Sequence, residues 1–144
     1  LYIIGNGGSA GLASHMAADA CKNGHLRAFA LNDAALLTAT ANDLAYDQVF
    51  SLPIERLGRP GGLVIAISSS ANSPNLVRAL HASRALALQA VTVTGMTPDN
   101  RARRLGDLNF YVPLSRYGLT ESAHQVLLHH WFDQYLHQFR GGAI

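Results

Sequence analysis

Two pairs of side chains in this 144-residue chain have types and spacing suited to metal chemistry. His15 and Asp19 stand four apart in an alanine-rich stretch, so on a helix they share one face. Glu121 and His129 stand eight apart in the last apolar stretch. On a helix that is a net rotation of about 80°, which keeps them within one broad face. Two imidazoles and two carboxylates make a sensible ligand set for Zn²⁺. Taken singly, each also has an ordinary explanation. His15 can pack on its helix, and Asp19 can be solvated. Glu121 follows Thr120, where an acidic residue suits a helix start, and His129 lies in an apolar run. His124, close to Glu121, reads as a spectator or a substrate contact; His25, His81, His130 and His137 read as surface or packing residues.

The elements that must position these groups surround two turns of small residues. The turns are Gly5-Asn6-Gly7-Gly8-Ser9 and Ser68-Ser69-Ser70-Ala71-Asn72-Ser73. Each follows a short apolar run and precedes a helical pattern. A strand that ends this way and opens a helix aims backbone N–H groups and the helix dipole at one point, which suits a phosphate. Two such turns in one chain point to a phosphorylated small molecule. In the second, Ser68, Ser69, Ser70, Asn72 and Ser73 offer donors around a single phosphate. Ser73 is also placed to cap the helix that Pro74 opens, and Ser9 to cap the first helix.

The first turn carries a second reading. Gly5-x-Gly7-x-x-Ala10 satisfies the loose dinucleotide pattern, and Asp33 follows at about the 20 residues expected of a ribose ligand. A nicotinamide enzyme has no need of the second, serine-rich cradle, which weighs against that reading. The plainest alternative is a tight turn that needs glycine for its backbone geometry.

Apolar runs alternate with helical patterns along the chain. Strands are expected at 1–4, 27–31, 63–67, 90–94 and 108–112. Helices are expected at 10–22, 33–42, 47–57, 73–86 and 120–139, with a short helix in the polar connection 97–105. This order implies right-handed crossovers and an α/β fold: a five-stranded parallel sheet in a three-layer α-β-α sandwich, Rossmann-like or flavodoxin-like. Ligands of such sheets sit beyond the carboxyl ends of the strands, where both turns lie. The last helix carries apolar residues over more than the stripe needed to pack on one sheet, Val126, Trp131 and Phe139 among them, which suggests a partner subunit.

Composition bounds the rest. Hydrophobic residues make up 49% of the chain and charged ones 14%, so one globular domain over 1–144 is expected. The net charge of +2 and a single basic cluster, Arg101, Arg103 and Arg104, give no basic stripe for nucleic acid. The single cysteine, Cys21, excludes an intrachain disulfide and fits a reducing cytoplasm. No run is long and apolar enough for a membrane span. Leu1 is not an initiator methionine and already begins an apolar run, so residues upstream of it are expected.

Together, Gly-Asn-Gly-Gly-Ser at 5–9, Asn42-Asp43, Ser-Ser-Ser-Ala-Asn-Ser at 68–73 and Val93-Thr94-Gly95 resemble the sugar isomerase (SIS) domain family, most closely its phosphoheptose isomerases. The likeness covers essentially the whole chain, apart from an N-terminal helical segment that the family carries. It implies a homotetramer with active sites between subunits, converting sedoheptulose 7-phosphate to a heptose 7-phosphate for lipopolysaccharide precursors. It implies that Asn6, Gly7, Ser9 and Asp43 line the sugar and that the serine turn holds the phosphate. It implies catalysis by Asp19 and His129, with His15, Asp19, Glu121 and His129 as metal ligands. The family has His, Glu, Gln and His at those four positions, so Asp19 and Glu121 depart from its pattern. Such changes suit an alternative, a non-catalytic SIS protein acting as a regulator or a partner of a replication initiator.

Overall fold

The computed structural model describes residues 1–141. Five strands form one parallel sheet: β1 (Tyr2–Gly5), β2 (Phe29–Ala30), β3 (Leu63–Ser68), β4 (Gln89–Gly95) and β5 (Leu108–Val112). Their spatial order is β2-β1-β3-β4-β5, and every neighbouring pair is parallel. The helices between them are α1 (Gly8–Lys22), α2 (Ala34–Asp43), α3 (Ser51–Leu57), α4 (Pro74–Ala85) and α5 (Tyr117–Arg140), with a 3₁₀ turn at Tyr46–Gln48.

The alternation of strand side chains explains the three layers. Ile3, Ile65, Ile67, Val91 and Val93 face α1 and α5 and meet Ala13, Met16, Ala17, Leu128, Phe132 and Leu136. Ile4, Val64, Ala66 and Ala90 face the other way and meet Ile54 of α3 and Leu76, Ala79 and Leu80 of α4. A strand buried on both faces must be apolar throughout, which is why Leu63–Ile67 reads as an unbroken run. The alanines of α1 let that helix sit close to the sheet.

The chain runs outward from β1 to β2, then crosses back to β3 on the other side. The crevice at this reversal, between the carboxyl ends of β1 and β3, is where open α/β sheets bind ligands. Both small-residue turns emerge there.

Several local expectations are corrected. α1 starts at Gly8, with Gly7 as its N-cap in a positive-φ conformation of 56° that favours glycine, so Ser9 is a buried first-turn residue and not the cap. Ser73 holds the N-cap position before Pro74 but makes no side-chain cap bond. Asp33 caps α2, its Oδ1 accepting from the Leu36 N–H at 3.0 Å, which gives it a structural duty in place of a ribose contact. β2 shrinks to two residues, Phe29 and Ala30, at the sheet edge, where it pairs with β1 alone. The expected helix 47–57 divides into the 3₁₀ turn and α3. The segment 97–105 forms turns and no helix. Two of its N–H groups reach back to the serine turn, Arg101 to Asn72 Oδ1 at 3.0 Å and Ala102 to the Ala71 carbonyl at 3.0 Å. The basic cluster is likewise structural in part: the Arg103 guanidinium lies 4.7 Å from the centre of the Tyr111 ring.

Candidate active site

α1 and α5 lie side by side on one face of the sheet and close a cleft of about 430 Å³. From α1 it is lined by Ser9 and His15, and from α5 by Glu121, Ser122, His124 and Gln125. Gly8 explains how the two helices approach. A Cβ there would meet the Glu121 carboxylate at 2.6 Å, so the bare α1 amino end lets Glu121 lie against it. The positive end of α1 is a favourable place for that charge.

Further along the same pair of helices and nearer the surface, His15, Asp19 and His129 converge. One ligand atom from each lies within 4.8 Å of the others. His15 Nε2 is 3.4 Å from Asp19 Oδ2, and the His15 and His129 rings are 5.0 Å apart. Two imidazoles and a carboxylate with an open side are the donor set of a catalytic zinc site, so the residues present fit that metal. Glu121 does not join the cluster; it stands against Gly8 instead. His15 belongs to both the cluster and the cleft wall.

The serine turn is wound by its own bonds. Ser68 Oγ accepts from the Ala71 N–H at 3.0 Å, and Ala71 takes a left-handed φ of 54°. The Ser69 carbonyl accepts from the Gly95 N–H at 3.1 Å. The Ser69 hydroxyl is buried without a partner, and the N–H groups of Ser70, Asn72 and Ser73 are not among the donors that build the turn. Asn6 is tied to the far side of this turn: its amide and that of Asn75 exchange hydrogen bonds of 3.1 and 2.9 Å, and Tyr46 donates to Asn6 Oδ1 at 3.2 Å. Asp43 is exposed at the last residue of α2, where its carboxylate accepts from Asn42.

This is a crevice with a wound serine turn, a glycine turn and a His/Asp/His cluster on adjoining helices. Residues 1–95 match the family model described as SIS domain.

The chain belongs to the SIS-domain family.

Among curated relatives of this SIS chain, a phosphoheptose isomerase of Thiobacillus denitrificans is 37% identical over 137 residues, covering 90% of this chain and 70% of that protein. One of Nitratidesulfovibrio vulgaris is 38% identical, covering 90% of this chain and 64% of the relative. Among solved structures, the phosphoheptose isomerase GmhA from Neisseria gonorrhoeae superposes with a TM-score of 0.85 at 35% identity, over 93% of this chain and 74% of that one. These relatives place the SIS chain with the phosphoheptose isomerases and favour an enzyme over a non-catalytic regulator. This chain spans about two thirds of their length.

The residue that spacing alone underrated is His124. It is fully buried and lines the cleft, and neither ring nitrogen closes a hydrogen bond of ordinary geometry, though the Thr94 backbone bears on the ring. Burial pushes its pKa below the usual 6.5, while the Thr94 backbone and the Glu121 charge oppose part of that shift. The ring is therefore neutral near pH 7. Its position one turn after Glu121 is the signal in the sequence that could have marked it.

Proposed function

We propose that this SIS chain binds a phosphorylated sugar and interconverts its ketose and aldose forms, taking sedoheptulose 7-phosphate to a heptose 7-phosphate. The observation that carries the reading is the His15–Asp19–His129 cluster beside a cleft whose wall His15 shares, between the two helices α1 and α5, in a chain related to phosphoheptose isomerases. In this reading Ser68, Ser69, Ser70, Asn72 and Ser73 hold the phosphate. Asn6, Gly7, Ser9 and Asp43 serve the sugar.

The reaction moves a proton between C1 and C2 through an enediol, so it needs a base at carbon and an acid at oxygen. Asp19 takes the proton from carbon and returns it to the neighbouring carbon, and His129 exchanges a proton with the sugar oxygen. His15, 3.4 Å from Asp19, orients the carboxylate. The same three residues would hold Zn²⁺, which when bound would polarise the sugar oxygen as a Lewis acid. Asp19 is one methylene shorter than the glutamate common in the family, so the α1 backbone must approach its substrate more closely to act.

The assembly belongs to the same reading. Tyr117, Leu119, Val126 and Phe139 of α5 are exposed, and His129 borders an open groove with Val126 and His130. A homotetramer that packs on α5 would cover this face and close the site between subunits. Among the described residues no helix is long and apolar enough to cross a membrane, and we place the protein in the cytoplasm, on a route to lipopolysaccharide precursors, with residues 1–144 acting as one SIS unit. Residues 142–144 lie outside the described part. Turnover of sedoheptulose 7-phosphate, assayed with and without Zn²⁺, tests the function. Absence of turnover in both conditions by folded protein overturns it.

A further inference from the structure

A buried imidazole with an unpaired ring nitrogen lowers the stability of any fold that contains it. His124 is such a group: it is 0% exposed, neither Nδ1 nor Nε2 closes a hydrogen bond of ordinary geometry, and the Thr94 backbone that bears on the ring can serve only one of the two nitrogens. It is also part of the wall of the cleft, beside Ser9, His15 and Glu121. His15 ties this wall to the proton-transfer cluster, and no residue of the serine turn lines it. The cleft is therefore the end of the site remote from the phosphate. Glu121, Ser122 and Gln125, the α5 residues that flank His124 in the wall, reach it through side chains that rotate without moving backbone.

We propose that His124 is a substrate-binding residue: its imidazole hydrogen-bonds an oxygen at the reacting end of the sugar, the partner the free protein does not supply. A neutral ring offers one donor and one acceptor, which matches a sugar hydroxyl or a carbonyl oxygen. Burial keeps the ring in that neutral form at neutral pH. Stability given up in the free protein is recovered as selectivity for a ligand that carries the missing partner. The inference rests on the isomerase reading for the identity of the sugar, and on geometry alone for the residue.

The test compares wild type with His124→Leu, an apolar side chain of similar size, and His124→Gln, which retains an amide donor and acceptor. Calorimetric titration with sedoheptulose 7-phosphate and, separately, inorganic phosphate is paired with thermal unfolding. For His124→Leu, Tm rises by a few degrees and sugar phosphate binding weakens about tenfold or more, while phosphate binding stays within about twofold. His124→Gln recovers part of the sugar affinity. The proposal is overturned if His124→Leu binds the sugar phosphate like wild type. It is equally overturned if Tm falls and both ligands weaken together, the mark of a structural histidine. Because the readout is binding, a wild-type protein that binds the sugar phosphate without turning it over sinks the isomerase reading and still decides the role of His124.

Discussion

Asn6 and Asn75 hold each other's side-chain amides through two reciprocal hydrogen bonds, of 3.1 and 2.9 Å. Asn6 lies in the glycine turn after β1, and Asn75 in the first turn of α4, just past the serine turn. The pair therefore fixes the distance between the two turns that border the crevice. Asn75→Ala removes both bonds and leaves Asn6 short of a partner. The expected cost is about 1–3 kcal/mol in urea unfolding. Sugar phosphate affinity should fall with it, because the sugar and phosphate ends lose their common frame. Unchanged affinity would show that the turns are positioned independently.

The metal cluster makes a sharper distinction among the four residues that spacing brought together. His15→Ala and His129→Ala should each lower Zn²⁺ affinity by at least about tenfold in a chelator competition assay. Glu121→Gln should leave it within about twofold, since Glu121 stands against Gly8 and outside the cluster. A large loss for Glu121→Gln would restore Glu121 to the ligand set.

The buried His124 makes stability depend on pH in a defined direction. Its folded pKa lies below the unfolded value of 6.5. Above that value the ring is neutral in both states and contributes no pH dependence. As pH falls below it, the unfolded chain takes up a proton that the native ring resists, so stability drops until pH passes the folded pKa. The slope tends toward about 1.4 kcal/mol per pH unit for one proton. The Glu121 carboxylate opposes part of this effect while it remains charged. Thermal unfolding between about pH 7.5 and pH 5 should show this fall in wild type and a shallower one in His124→Leu. Parallel curves for the two proteins would count against it.

Gly8→Ala tests how α1 and α5 meet. The new methyl group would sit 2.6 Å from Glu121 Oε2, at the far end of a flexible side chain. The carboxylate should turn aside, and the gain in helix propensity at residue 8 offsets part of the cost, leaving a net change of about 1 kcal/mol or less. The KM for the sugar phosphate should rise as the displaced carboxylate enters the cleft. In a double-mutant cycle with Glu121→Ala the two effects should couple, and strict additivity would show that they do not touch.

Much of this was legible in the order of residue types. Runs such as Leu63–Ile67 could only be strands buried on both faces, and the i, i+4 spacing of His15 and Asp19 predicted the face they share. The less legible features depend on contacts between distant segments. Ser9 looked like a cap because its chemistry suits one, but the positive φ at Gly7 begins the helix two residues earlier. The connection 97–105 is tied instead to the serine turn, which takes the Arg101 and Ala102 N–H groups, and to its own Asn100, which accepts from Arg103 N–H. Rotation along α5 allowed Glu121 near the cluster, and only the seating of α5 against Gly8 sends it elsewhere. The burial of His124 comes from the seating of α5 on the sheet: its spacing from Glu121 marks the face it shares, and only the packing sets its depth.

The meeting of Gly8 with Glu121 also has a consequence for biosynthesis. The glycine turn leaves the ribosome more than a hundred residues before α5, the helix that covers it. The nascent chain therefore carries an uncovered half-site until α5 emerges and docks. A sugar phosphate would stabilise only the finished fold, so its protective effect on partly made chains should be nil.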